Sequence, residues 1–219
     1  MAELTALAGW AADLILHLDV HLTTLVNNYG WQTHLILFAV IFWETGVVIW
    51  PFLPGDSLLF AAGSIAALPD SPLNIGLLFL LLSSAAILGD TANYWLGHWF
   101  GPKVFHRDGR FLKKKYLDRT RAFYDQYGAQ TIVLARFVPI VRTFAPFVAG
   151  IGRMSYRRFI FFNVTGAFLW NFLLLGAGYL FGGLDAVKNN FSLVILAIIF
   201  ISCLPMAVEF LKSRKKQDG

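Results

Sequence analysis

An all-α polytopic membrane protein with two opposed re-entrant hairpins, arranged like an inverted-repeat transporter, is the fold class that this sequence predicts. Three observations lead there. The 219 residues are 57% hydrophobic and only 14% charged, with mean hydropathy +0.61. A soluble domain is nearer half apolar and a quarter charged, so much of the apolar surplus must face lipid. The basic residues are unevenly placed: residues 1–102 hold no Lys or Arg, and all 18 lie between Lys103 and Lys216. Finally, two apolar segments are broken by proline near their middles. Trp31 to Leu68 is broken at Pro51, Pro54 and Gly55, and Thr131 to Ile151 at Pro139 and Pro146.

Composition also excludes several classes. An aromatic content of 16% argues against disorder. The single cysteine, Cys203, excludes a disulfide scaffold. The formal charge of +5 sits beside long apolar runs, so the membrane surface, not nucleic acid, is the expected partner of the basic residues.

Residues 1–30 read as an interfacial amphipathic helix. Leu4 to Val26 is apolar but punctuated by Asp13, His17, Asp19 and His21, and it ends at the turn Asn27-Asn28-Tyr29-Gly30. Met1 to Trp10 lacks a positive n-region and carries Glu3, so insertion without a cleaved signal is expected. The membrane domain covers 31–211. Its first hairpin is 31–68, whose two halves are each shorter than the ~20 residues needed to cross, and whose prolines forbid one continuous helix. Residues 73–100 form a span that Gly101-Pro102 should end. Residues 101–130 form a basic loop, 131–151 the second hairpin, and 159–182 and 191–211 two further spans, the last with a kink at Pro205. The basic tail is 212–219.

Charge orients these segments. Residues 103–121 hold eight basic and two acidic side chains. That loop, the cluster Arg153, Arg157 and Arg158, and the tail should be cytoplasmic. Residues 69–72 and 183–190 should face outward. Segment 131–151 then enters and leaves from the cytoplasm, and 31–68 from outside, as in transporters whose broken helices meet near the midplane. The alternative for 31–50 is a full crossing.

Four charged residues stand inside the broken segments: Glu44, Asp56, Arg136 and Arg142. A charge at the bilayer centre costs between about 2.5 and 10 kcal/mol or more, so these groups must line a cavity or pair. Two buried salt bridges could simply staple the hairpins together. The functional reading is that two guanidiniums bind a phosphate bidentately and two carboxylates exchange protons, because burial favours a neutral carboxyl and a neighbouring Arg an ionised one. Glu44 and Asp56 are twelve residues apart, about 18 Å along a straight helix, and the break at Pro54-Gly55 lets the chain fold back between them. Asp56 beside that break can cap the following helix. Glu44, in the apolar stretch Ile41 to Val48, is the carboxylate expected to titrate.

Asp90, Asn93 and Tyr94 form a second polar group within a span, read as a structural hydrogen-bond cluster with a proton relay as the alternative. His17 and His21 have metal-compatible spacing but no evident third ligand, so neither metal nor cofactor is expected. Lys113, Lys114 and Lys115 determine topology and touch anionic headgroups. Trp10, Trp31, Trp50, Trp95 and Trp99 read as an interface belt. No nucleophile elbow, zincin motif or Walker loop occurs, and His98 and His106 fall at the cytoplasmic interface, so no enzyme is predicted.

Glu44-Thr-Gly, then Pro51-Phe-Leu-Pro-Gly-Asp56, and later Ala135-Arg136-Phe-Val-Pro-Ile-Val-Arg142-Thr-Phe-Ala-Pro-Phe-Val-Ala-Gly150 resemble the DedA family of bacterial inner-membrane proteins. Gly89-Asp90, Tyr94 and Gly97 fit the same pattern, and the resemblance covers nearly the whole chain. It implies a multi-pass protein of the bacterial inner membrane that recycles undecaprenyl phosphate, or moves another phospholipid, with dependence on the proton motive force. It places the family's essential acidic pair on Glu44 and Asp56 and its essential arginines on Arg136 and Arg142. Partners are then a membrane lipid, protons and, as a candidate, a second copy of the chain. A proton-dependent antiporter of small ions or drugs, a passive scramblase and a non-transporting scaffold are the rival readings.

The orientation is testable in a Cys203→Ser background by single-cysteine labelling. A cysteine at position 70 should react only from outside and one at position 217 only from the cytoplasm; labelling of position 70 from the cytoplasm alone would reverse the arrangement.

Overall fold

The computed structural model describes residues 18–46, 55–105, 128–198 and 200–201. Met1 to His17, Pro51, Pro54, His106, most of the basic loop, Cys203, Pro205 and the tail lie outside the described residues. Among those described, the regular structure is helical, with no strand. In chain order the elements are α1 (Leu18–Tyr29), a 3-10 turn (Gly30–Gln32), α2 (Thr33–Gly46), α3 (Gly55–Ala66), α4 (Ile75–Phe105), α5 (Thr131–Ala135), α6 (Pro139–Ile151), α7 (Tyr156–Phe181) and α8 (Asp185–Lys188). Residues 191–198 are also helical.

Length separates these helices into two kinds. Ile75–Phe100 and Tyr156–Phe181 are apolar stretches of 26 residues each, about 39 Å long at 1.5 Å per residue, enough to cross a ~30 Å hydrocarbon core. They expose large apolar side chains, among them Leu80, Leu88 and Trp99 on α4 and Phe161, Phe172 and Leu180 on α7. A surface of this kind suits lipid, not water. By contrast α3 has 12 residues and α6 has 13, about 20 Å at most.

Three expectations about proline meet different outcomes. Pro139 is the first residue of α6, and Val138 before it is extended (φ −120°, ψ 105°). That is the conformation a following proline imposes, and it separates α5 from α6 as the sequence suggests. Pro146 does not make a break: it lies inside α6, where it removes one rung of the hydrogen-bond ladder without ending the helix. Gly101-Pro102 does not end α4 either, which runs on to Phe105.

The chain forms two compact units, Met1–Ile36 with Pro54–Leu80 and Asn171–Gly219, and Leu37–Leu53 with Leu81–Trp170. In the first, α1 buries Leu18, Leu22 and Val26, spaced four apart on one face, and packs against α3. Gly55 opens α3, and Asp56 sits buried in its first turn. His34 is buried at the start of α2. Its Nε2 accepts the Asn74 N–H at 3.2 Å and its Nδ1–H donates to the Trp31 carbonyl at 2.8 Å, which defines the neutral tautomer. Asn74 in turn accepts the Leu77 N–H at 3.0 Å, capping α4.

Backbone approach between α3 and the end of α7 depends on glycine. A Cβ on Gly178 would collide with the Phe60 carbonyl and meet the Ser64 nitrogen at 3.0 Å; one on Gly63 would collide with the Leu175 carbonyl. Small residues of this kind let membrane helices touch. Gly178→Ala should therefore cost about 1–3 kcal/mol, the range for overpacking, read as a fall in unfolding midpoint in detergent. Gly176→Ala, where nothing lies within 4 Å, should stay within about 0.5 kcal/mol.

Candidate functional site

The second unit gathers charge in an apolar setting. Its core packs Tyr94, Ile132, Ala135, Ala145, Ala149 and Phe159 together. Into this packing α2 brings Glu44 and Thr45, α4 brings Asp90 and Asn93, the segment from the end of α5 through α6 brings Arg136 and Arg142, and α7 brings Asn163 and Trp170. Glu44 is 1% exposed, Asp90 5%, Arg136 4% and Arg142 8%. A buried charge must be paired. Arg142 Nη2 donates to Glu44 Oε1, and Arg136 Nη2 donates to Asp90 Oδ2. Among the described residues of this unit, Glu44 and Asp90 are the carboxylates.

Neutral groups hold the guanidiniums from the other side. Arg136 Nη2 also donates to Asn163 Oδ1 at 2.6 Å. The Asn163 amide is fixed in that sense because its nitrogen donates to the Ile87 carbonyl at 3.1 Å. The Trp170 ring lies beneath both arginines, 5.0 Å from the guanidinium carbon of Arg142 and 5.9 Å from that of Arg136. Both distances suit a cation–π contact. Thr45, Asp90, Ile132, Arg136, Arg142, Pro146 and Trp170 line a cavity of about 10 Å³, room for roughly one water.

Close helix crossings bring these residues together. A Cβ on Gly89 would collide with Thr45 Oγ1, and one on Gly150 with the Tyr94 carbonyl. Those two contacts seat the end of α2 and the length of α6 directly on α4. Asn93 then ties all three, its Nδ2 donating to the Thr143 carbonyl at 2.6 Å and towards the Thr45 carbonyl at 3.4 Å. Tyr94 donates to the Met154 carbonyl at 2.5 Å and stacks on Phe159 with ring centroids 4.4 Å apart. Its role is to hold the turn after α6 against α4.

Glu44, Arg136 and Arg142 thus meet in one unit. Asp90 stands among them as the partner of Arg136, a more central place than a separate polar cluster within a span. Asp56 belongs to the other unit. Asn163 and Trp170 escape the sequence reading. Asn163 is a lone amide in an apolar run, a signal of the same kind as Asn93, and Trp170 stands in mid-span, away from the interfacial belt.

A double-mutant cycle tests the pairing. Arg136→Gln alone leaves a buried carboxylate without its cation and should cost about 3–5 kcal/mol. Adding Asp90→Asn should return more than half of that in the unfolding midpoint; additive losses would show that the two residues do not interact.

The VTT domain family matches residues 53–180. Protein DedA of Escherichia coli (strain K12) is 50% identical over 204 residues, 93% of each chain. An uncharacterised membrane protein of Mycobacterium tuberculosis (strain H37Rv) is 44% identical over 174 residues, 79% of this chain and 76% of its own. Inner membrane protein YghB of Escherichia coli (strain K12) is 32% identical over 202 residues, 92% of this chain and 87% of its own. No solved structure matches.

Proposed function

This chain belongs to the DedA family of membrane proteins, which carry the VTT domain, and on that premise we propose that it is a transporter of a phosphate-bearing lipid. Undecaprenyl phosphate, moved across the bacterial inner membrane with coupling to protons, is the substrate proposed, and no covalent chemistry is involved. The observation that carries the reading is the pair of buried guanidiniums that both contact the Trp170 indole and line one cavity. Arginine suits this task because its planar fork stays charged and matches phosphate oxygens two at a time. Glu44, already on Arg142, is the proton-exchanging carboxylate, with Asp56 at the start of α3 as the second acidic residue of the pair.

The proposed architecture follows the charge distribution. Segments 31–68 and 131–151 re-enter from opposite faces, the loop 101–130 and the C-terminus are cytoplasmic, and residues 1–30 begin in the interface. The shortness of α3 and α6 and the break at Val138 support hairpins over crossings. Irregular backbone at membrane depth is tolerated where it is buried in protein, as it is around Arg136.

Arg136→Lys and Arg142→Lys keep charge and lose the fork. Each should lower movement of undecaprenyl phosphate between the leaflets of proteoliposomes at least tenfold while the protein remains folded, a loss of about 1.5–3 kcal/mol for a charge-assisted hydrogen bond. Unimpaired movement by the double lysine variant would remove the bidentate phosphate seat. Cation-dependent proton exchange without lipid movement would favour the antiporter instead.

A further inference from the structure

The arginines of this site are occupied by the protein's own anions, and the arrangement has a consequence for charge balance. Among the described residues of this unit, two guanidiniums face two carboxylates, and these four charges cancel. A monoalkyl phosphate is close to a dianion above pH 7, because its second ionisation lies near 6. Adding it to the site without protons would bury two uncompensated negative charges, a cost no hydrogen bond recovers. Asp90 shares the lining of the small cavity, about 10 Å³, with both arginines, so it stands where a phosphate would have to reach Arg136.

Asp90 is placed to be one of the two groups that yield. It contacts Arg136 through one guanidinium nitrogen only. The buried Nε of Arg136 has no acceptor among the described residues, so the fork is half used. Asn163 Oδ1 holds the same Nη2 at 2.6 Å, so Arg136 keeps its place when Asp90 lets go. Among the described residues, the charged groups acting on Asp90 are Arg136 and Arg142 on the segment opposite, and Arg142 is itself paired with Glu44 of α2. From α7 it faces the neutral Asn163 and Trp170.

We propose that Asp90 is the internal anion of the Arg136 seat: it competes with the ligand phosphate for that guanidinium and leaves by taking a proton from water. Glu44 does the same at Arg142, so each phosphate dianion enters together with two protons. The inference rests on the phosphate-binding reading of the arginines, and it adds a carboxylate and a stoichiometry to it.

The experiment is proton uptake on binding of a short-chain monoalkyl phosphate to the purified full chain in detergent, between pH 7.5 and 9.5. The parent should take up about two protons per phosphate, and its affinity should fall about a hundredfold per pH unit. Asp90→Asn should take up one fewer and fall about tenfold per unit. The double variant Asp90→Asn with Asn163→Asp moves the carboxylate to the other contact of Arg136, keeps its ion pair, and should restore the parental count. An unchanged count in Asp90→Asn overturns the role of Asp90 while leaving phosphate binding intact. Should that variant not fold, the double variant decides alone: the parental count supports the proposal and a count one lower overturns it. A parent that binds no phosphate at any pH removes the phosphate reading and the role of Asp90 with it.

Discussion

Two guanidiniums that cannot lose their charge are buried here in an apolar helix packing, and most of the second unit follows from the need to balance them. Arg142 is paired with Glu44 and Arg136 with Asp90. Both contact the Trp170 ring, whose π-system supplies negative electrostatic potential without a net charge. Asn163 gives Arg136 a second acceptor. None of these contacts forms unless α2, α6 and α7 lie close to α4. Hence the glycines at the crossings, where any Cβ would strike backbone or a neighbouring side chain, and hence Asn93, which bonds to carbonyls of two neighbouring helices at once.

Polarity is arranged inward and apolarity outward. The long helices α4 and α7 present leucine, phenylalanine and tryptophan on their outer faces and carry Asp90, Asn93 and Asn163 within. Lipid supplies no hydrophobic force between helices, so close packing and buried polar contacts must hold them. The first unit shows the same economy on a smaller scale, with Gly63 and Gly178 at the contact of α3 with α7 and a neutral histidine tying α2 to the cap of α4. The polar interior that serves stability in this way is also what a charged ligand needs to enter a low-dielectric space.

A site whose cations are already satisfied is not an open anion trap. The cavity that the two arginines line with Asp90 holds about one water. Under the proposal made above, binding is exchange of one anion for another. Relatives at 50% identity from Escherichia coli and 44% from Mycobacterium tuberculosis cover most of this chain.

Composition and the run of charge pointed to a helical membrane protein, because 26-residue apolar stretches are long enough to cross a ~30 Å hydrocarbon core. They also picked out Glu44, Arg136 and Arg142, since an ionised group in such a stretch stands out whatever its partner. Pro139 marked the break at Val138, because a proline restricts its own neighbour and needs no tertiary contact to do so. Pro146 shows the limit of that logic: a single missing rung is survivable when the helix is packed on both sides of it, and packing is not written in the local sequence. Pairing was decided by tertiary structure alone. Arg142 meets Glu44 across 98 residues and Arg136 meets Asp90 across 46, separations at which periodicity carries no information. Which carboxylate serves which arginine, and that Trp170 lies under both, depends on where helices cross. The crossings depend in turn on glycine contacts that exist only once the backbones have met.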